Sequence, residues 1–146
     1  MPSAAEAGNT FALRIERSMA GLERLGGWVD TVTAALGLGE PAEFALRLCV
    51  EEAAANVVMH GVADADGDAG FVALRVEAAQ DALRVTIEDR CAAFDPLHVP
   101  APAVPATLKE ARVGGLGIHL MRQYTSAISY ERAGDVNRLT LTIGRM

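Results

Sequence analysis

From Pro41 to His60 the chain carries Ala, Val, Leu, Phe and Cys on nearly every side of a helical wheel, and Gly61 closes the run. A helix that apolar all round has to be buried against another layer, and the neighbouring segments say which. Phe71 to Glu77 and Ala82 to Glu88 alternate large apolar with polar residues across a short turn, the pattern of a β-hairpin. Ala127 to Arg132 and Asn137 to Gly144 form a second hairpin, and Thr10 to Arg17 alternates Phe11, Leu13 and Ile15 with smaller or charged residues. Ser18 caps a helix to about Leu36, with Leu22, Leu25, Val29, Val32 and Leu36 on one face, and Gly37 and Gly39 end it. Gly26-Gly27 in its middle marks close packing or a bend. Leu116 to Tyr124 is a third helix. Strands interrupted by helices, with two hairpins, predict an α/β two-layer sandwich: one mixed sheet with helices packed on one face.

The chain has 146 residues, enough for one domain with a core that needs no disulfide or metal staple. Residues 1–9 are small and polar and read as a disordered N-terminus; residues 10–146 read as a single domain. A formal charge of −6 leaves no electrostatic footprint for nucleic acid. A basic protein surface, or a nucleotide carrying its own metal, is the easier partner. Cys49 and Cys91 sit in apolar segments rather than in a spaced framework, which fits a reduced, cytoplasmic chain. No apolar run is long enough to span a membrane, and the start lacks a secretory signal.

Two polar stripes run along the Pro41–His60 helix. Glu43, Arg47 and Glu51 form the solvated face. Glu52, Asn56 and His60 also lie four apart, drifting by roughly 40° per step, and that second stripe is out of place on so apolar a helix. An Asn oxygen is a hard, neutral ligand suited to Mg²⁺, and a carboxylate one turn earlier can act as a general base. The plainer reading is that Glu52 and Asn56 cap loops or pair with a neighbouring strand. His60 reads as a helix-end residue hydrogen-bonded to a carbonyl.

Asp89 follows the strand Leu83-Val85-Ile87, where a carboxylate can accept a hydrogen bond from the exocyclic amine of adenine; an ordinary turn-starting Asp would look the same. Phe94 then supplies an aromatic wall, and Asp95-Pro96 a turn. Residues 94–113 hold four of the six prolines without a clean period, the signature of a long loop or lid. Gly114, Gly115 and Gly117 come where that loop becomes a helix, a place where unobstructed backbone N–H groups can hold phosphate, and Lys109 and Arg112 lie just upstream. Such glycines are often no more than a turn. No Walker lysine follows them, and no βαβ unit supports a dinucleotide site.

Taken together, Glu51-Glu-Ala-Ala-Ala-Asn-Val-Val-Met-His60, Asp89-Arg-Cys-Ala-Ala-Phe-Asp-Pro96, Gly114-Gly-Leu-Gly-Ile-His-Leu-Met-Arg122 and the closing strand Asn137-Arg-Leu-Thr-Leu-Thr142 resemble the GHKL superfamily of ATP-binding domains. Within it the chain is most similar to anti-sigma factor serine/threonine kinases of bacterial partner switching. The resemblance implies a largely antiparallel sheet and ATP with Mg²⁺ as cofactors. It implies Asn56 as the Mg²⁺ ligand, Glu52 as the catalytic base, and Asp89 on the adenine amine. Gly115 and Gly117 would approach the phosphates beneath a mobile lid, with Cys91, Phe94, Lys109, Arg112 and Leu116 completing the nucleotide contacts. The implied partners are a STAS-domain anti-anti-sigma protein as phosphoacceptor, a sigma factor, and a second copy in a homodimer. One departure stands out: the family commonly has Gly two residues after the adenine-binding Asp, where this chain has Cys91, so nucleotide affinity is expected to be weaker and the thiol modifiable, unless Cys91 is simply packed. Two other readings are a non-catalytic ATP-gated binding switch and a histidine kinase catalytic domain. The second lacks a helical hairpin bearing a phosphoacceptor His, since none of His60, His98 and His119 sits in that context.

Overall fold

The computed structural model describes residues 9–61, 70–98 and 116–145. The expected disorder of residues 1–9 falls outside them except for Asn9, as does the 99–113 part of the expected lid. Strand β1 (Thr10–Glu16) is followed by helices α1 (Met19–Leu36) and α2 (Glu40–His60), the hairpin β2 (Phe71–Ala78) and β3 (Ala82–Asp89), helix α3 (Leu116–Tyr124), and the hairpin β4 (Ala127–Ala133) and β5 (Val136–Gly144). These elements follow the local chemistry closely. Ser18 accepts a hydrogen bond from the Gly21 N–H to cap α1, and Gly37 ends it in the left-handed region at φ 63°. Gly134 takes the same φ in the two-residue turn of the second hairpin. No helix among the described residues is long and apolar enough to cross a membrane.

The five strands form one sheet in the order β1-β2-β3-β5-β4. Every described pairing is antiparallel, so the expected two-layer sandwich holds and its sheet, expected to be mixed and largely antiparallel, has no parallel pair among the described strands. The connections explain it. Two helices, joined by the short Gly37–Gly39 link, separate β1 from β2, and a second helix undoes the reversal that the first makes. β3 and β4 do point the same way, as a single intervening helix requires, but β5 lies between them.

The three α-helices among the described residues cover one face. Val72, Leu74 and Val76 of β2, Leu83, Val85 and Ile87 of β3, and Leu139, Leu141 and Ile143 of β5 point inward. They meet Leu25, Val29 and Val32 of α1, Leu46, Cys49, Val50, Ala53 and Ala54 of α2, and Ile118 and Met121 of α3. Burying each Leu, Ile or Val side chain contributes about 1.5–3 kcal/mol. The small residues of α2 let it approach the sheet, and burial pushes the Cys49 thiol up to about 11, with the Glu52 carboxylate adding to the effect. That thiol is core.

Three local readings need correction. Helix α2 is not buried all round, because Phe44 and Met59 are 55% and 62% exposed; apolar composition overstated its burial. Phe44 instead meets Tyr124 of α3 edge to face, with ring centroids 5.3 Å apart. Gly26 and Gly27 leave α1 unbroken, and a Cβ on either would meet nothing within 4 Å, so no close packing requires them. His60 is exposed and makes no hydrogen bond to a described residue. On the outer stripe, Arg47 does more than face water: it joins Glu43 and Glu51, each at 3.8 Å, to Asp30 of α1.

Candidate functional site

The inward rows of the sheet stop being apolar at one end. Asp89, at the end of β3, and Asn137, near the start of β5, are cross-strand partners there and share the helix-facing side. The C-terminal half of α2 crosses over them, leaving a cleft that is partly open to solvent and encloses about 50 Å³. Ala53 and Val57 of α2, Ile87 and Leu139 form its apolar walls, and Phe94 and Pro96 line it from the segment after β3. Asn56, Asp89, Tyr130 and Asn137 supply polar atoms. An apolar slot with a few convergent polar groups suits a flat heteroaromatic ligand.

The carboxylate of Asp89 is held from one side. Its Oδ1 accepts the Cys91 N–H at 2.9 Å and the Asn137 Nδ2–H at 2.9 Å, whereas no N–H or O–H of a described residue reaches its Oδ2, and the Cys91 thiol is a weak donor beside the carboxylate. Asn137 is 5% exposed and is tied on both sides of its amide. Nδ2 also faces the carbonyls of Cys91 at 3.2 Å and Ala92 at 3.1 Å. Its Oδ1 accepts from the Tyr130 hydroxyl and, over a long 3.4 Å, from the Phe94 N–H. Arg132 clamps the Cys91 carbonyl from β4 at 2.8 Å. Asp95 then turns the chain by accepting the Leu97 N–H at 2.8 Å, and Arg122 of α3 donates to the Leu97 carbonyl at 2.9 Å.

Cys91 fits because of a glycine far away in sequence. Its thiol is buried against Gly61, where an added Cβ would lie 2.7 Å from Sγ and 2.4 Å from the Val57 carbonyl oxygen. Gly61 has an extended backbone (φ −63°), so space and not φ is what it provides. Arg17 donates to the Gly61 carbonyl at 2.9 Å and fixes the end of α2. Burial, chiefly, pushes the Cys91 thiol up, which argues for a packed side chain rather than a modifiable one.

The other half of the site is the junction of α2 and α3. Glu52, one turn before Asn56, is half-buried against the first turn of α3, and a Cβ on Gly117 would lie 2.5 Å from its Oε2. A side chain at 117 would displace the Glu52 carboxylate from its present position. Burial, and secondarily Glu51, raises the Glu52 carboxyl above the ordinary glutamate range, the direction that makes a carboxylate a better proton acceptor near neutrality.

The structure therefore gathers Asn56, Asp89, Cys91 and Phe94 around one cleft, and sets Glu52 against Gly117 on the same helix as Asn56. Lys109, Arg112 and Gly115 lie outside the described residues; Leu116 opens α3, and its side chain is likewise outside them. Sequence reasoning passed over Asn137, Tyr130, Arg132 and Gly61. A signal existed for the first: in β5 the inward positions 137, 139, 141 and 143 read Asn, Leu, Leu, Ile, and the Asn breaks the row. Tyr130 and Arg132 continue the Ile128 row of β4 in the same way.

Residues 17–143 match the family of histidine kinase-like ATPase domains. The chain is similar to the serine/threonine-protein kinase BtrW of Bordetella bronchiseptica, with 32% identity over 115 residues that cover 79% of this chain and 80% of that protein.

Proposed function

The chain belongs to the histidine kinase-like ATPase domain family, and from that premise we propose that it is an ATP-dependent protein serine/threonine kinase and anti-sigma factor. It phosphorylates a STAS-domain anti-anti-sigma protein in the cytoplasm and, as a homodimer, sequesters a sigma factor when that antagonist is silenced. The observation that carries the nucleotide half of this reading is the Oδ2 of Asp89, which no N–H or O–H of a described residue reaches, at the end of an apolar slot, an acceptor suited to the amine of adenine. The similarity to BtrW, a serine/threonine-protein kinase, supports the transfer half.

The residues present fit the cofactor. Among the described residues no three His, Cys, Asp or Glu side chains cluster to hold a metal. A magnesium ion here would take the Asn56 side-chain oxygen, with phosphate and water completing its shell, as Mg²⁺ commonly does. Bound ATP-Mg²⁺ supplies the phosphoryl group and neutralises its charge. With that nucleotide bound, Glu52 would take the proton of the acceptor hydroxyl during transfer, ADP being the leaving group. Gly117 lets the start of α3 come close to that carboxylate and leaves its backbone uncovered for phosphate.

Incubating purified protein with Mg-ATP and a STAS-domain protein encoded nearby tests the proposal. Phosphoserine or phosphothreonine on that protein is expected, with transfer lowered roughly 10²–10⁴-fold by Glu52→Gln. Absence of any heat of association with Mg-ATP would sink the reading. Nucleotide-dependent capture without a phosphorylated product would turn the protein into a binding switch.

A further inference from the structure

We propose that Asn137 is the positioning residue that makes Asp89 select a base bearing an exocyclic amine. This rests on the ATP-binding reading above and assigns its base selectivity to a residue on β5.

The amide of Asn137 has one possible orientation. Flipped, its oxygen would face Asp89 Oδ1 and the carbonyls of Cys91 and Ala92, three acceptors with no proton among them. As it stands, both Nδ2 protons are used and Oδ1 is anchored by the Tyr130 hydroxyl. The consequence reaches Asp89. Two donors, the Cys91 N–H and Asn137 Nδ2–H, converge on Oδ1, so the carboxylate cannot turn without losing both. Oδ2 is left as an acceptor that no N–H or O–H of a described residue reaches, with the weakly donating Cys91 thiol beside the carboxylate, and it can be satisfied by an amine but not by a carbonyl. A neutral amide does this without cancelling the carboxylate charge, as an Arg or Lys at position 137 would. Asn137 thus acts on the base through Asp89 and need not touch it.

The test compares two probes on the full chain, Mg-ATP and the Mg-triphosphate of purine riboside, which lacks the 6-amine. Wild-type protein should prefer ATP by roughly 10- to 100-fold, the usual effect of one hydrogen bond to a charged group. Asn137→Ala should bring that preference below about 3-fold, with most of the loss falling on ATP. A residue with a merely structural role would weaken both nucleotides alike, so a preference that survives Asn137→Ala overturns the inference. Should that variant not fold by circular dichroism, Tyr130→Phe carries the test. It keeps the ring and removes the anchor of Asn137; a reduced preference supports the inference and a full one overturns it. Wild-type protein that binds neither nucleotide would overturn the kinase reading and this one with it. Wild-type protein that prefers ATP while the variants keep the full preference overturns this inference alone.

Discussion

The two ends of β5 show opposite ways of filling the space under a helix layer. At one end Leu141 and Ile143 are buried and present no polar atom; at the other Asn137, on the same inward row, makes five hydrogen bonds. The apolar end depends on volume, and its neighbours can adjust to a change of shape. The amide end depends on donors matched to acceptors, and a substitution there leaves Cys91, Ala92, Tyr130 and Asp89 short of partners. Stability should therefore be concentrated at one end and discrimination at the other.

Four variants sharpen or break that division. Glu52→Gln, at the site end, should lower phosphotransfer by the 10²–10⁴-fold given above, about 3–5 kcal/mol in the barrier. It should not lower the melting temperature at neutral pH. Burial disfavours the ionised form of Glu52, so the folded protein holds that proton more tightly than the unfolded chain does. Its contribution to stability is lost as pH rises from the ordinary glutamate range through the raised folded value, and the variant should lack that slope. Loss of melting temperature in Glu52→Gln at pH 7 would blur the division. Leu46→Ala, in the core, should cost about 2–5 kcal/mol in denaturant unfolding while ATP preference over the purine riboside nucleotide stays as in the wild type. Gly61→Ala lies on the border and should cost about 1–3 kcal/mol through overpacking. Adding Cys91→Gly should restore part of that, because the sulfur contact is removed while the Val57 carbonyl contact remains. Gly27→Ala, exposed and remote from both ends, should raise stability by about 0.5–1 kcal/mol and leave activity unchanged. A destabilised Gly27→Ala would mean that α1 makes contacts at this face in the working protein.

Much of this was legible from residues alone. Alternation located all five strands, and Ser18, Gly37 and Gly61 marked helix ends, because these signals act within a few residues of one another. The Glu52–Asn56 spacing and Asp89 after β3 were legible as chemistry, since helical period and strand ends fix where such side chains point. The pairing of one hairpin with the other was not, because β3 and β5 join residues about fifty to sixty positions apart. Nor was the service Gly61 does for Cys91, or Asn137 for Asp89: each is a contact between segments whose meeting no local rule encodes. Gly26-Gly27 misled for the converse reason, since a glycine pair looks the same in sequence whether or not anything packs on it.

The strand order β3-β5-β4 carries a consequence for how the protein is made. Neither β3 nor β4 has β5 beside it until Val136–Gly144 leaves the ribosome, so a nascent chain must hold those edges unfilled until that strand has emerged. The residue that steadies Asp89 arrives with that same strand. Unfinished chains should consequently be blind to nucleotide, and ligand added during synthesis should rescue only molecules already past that point.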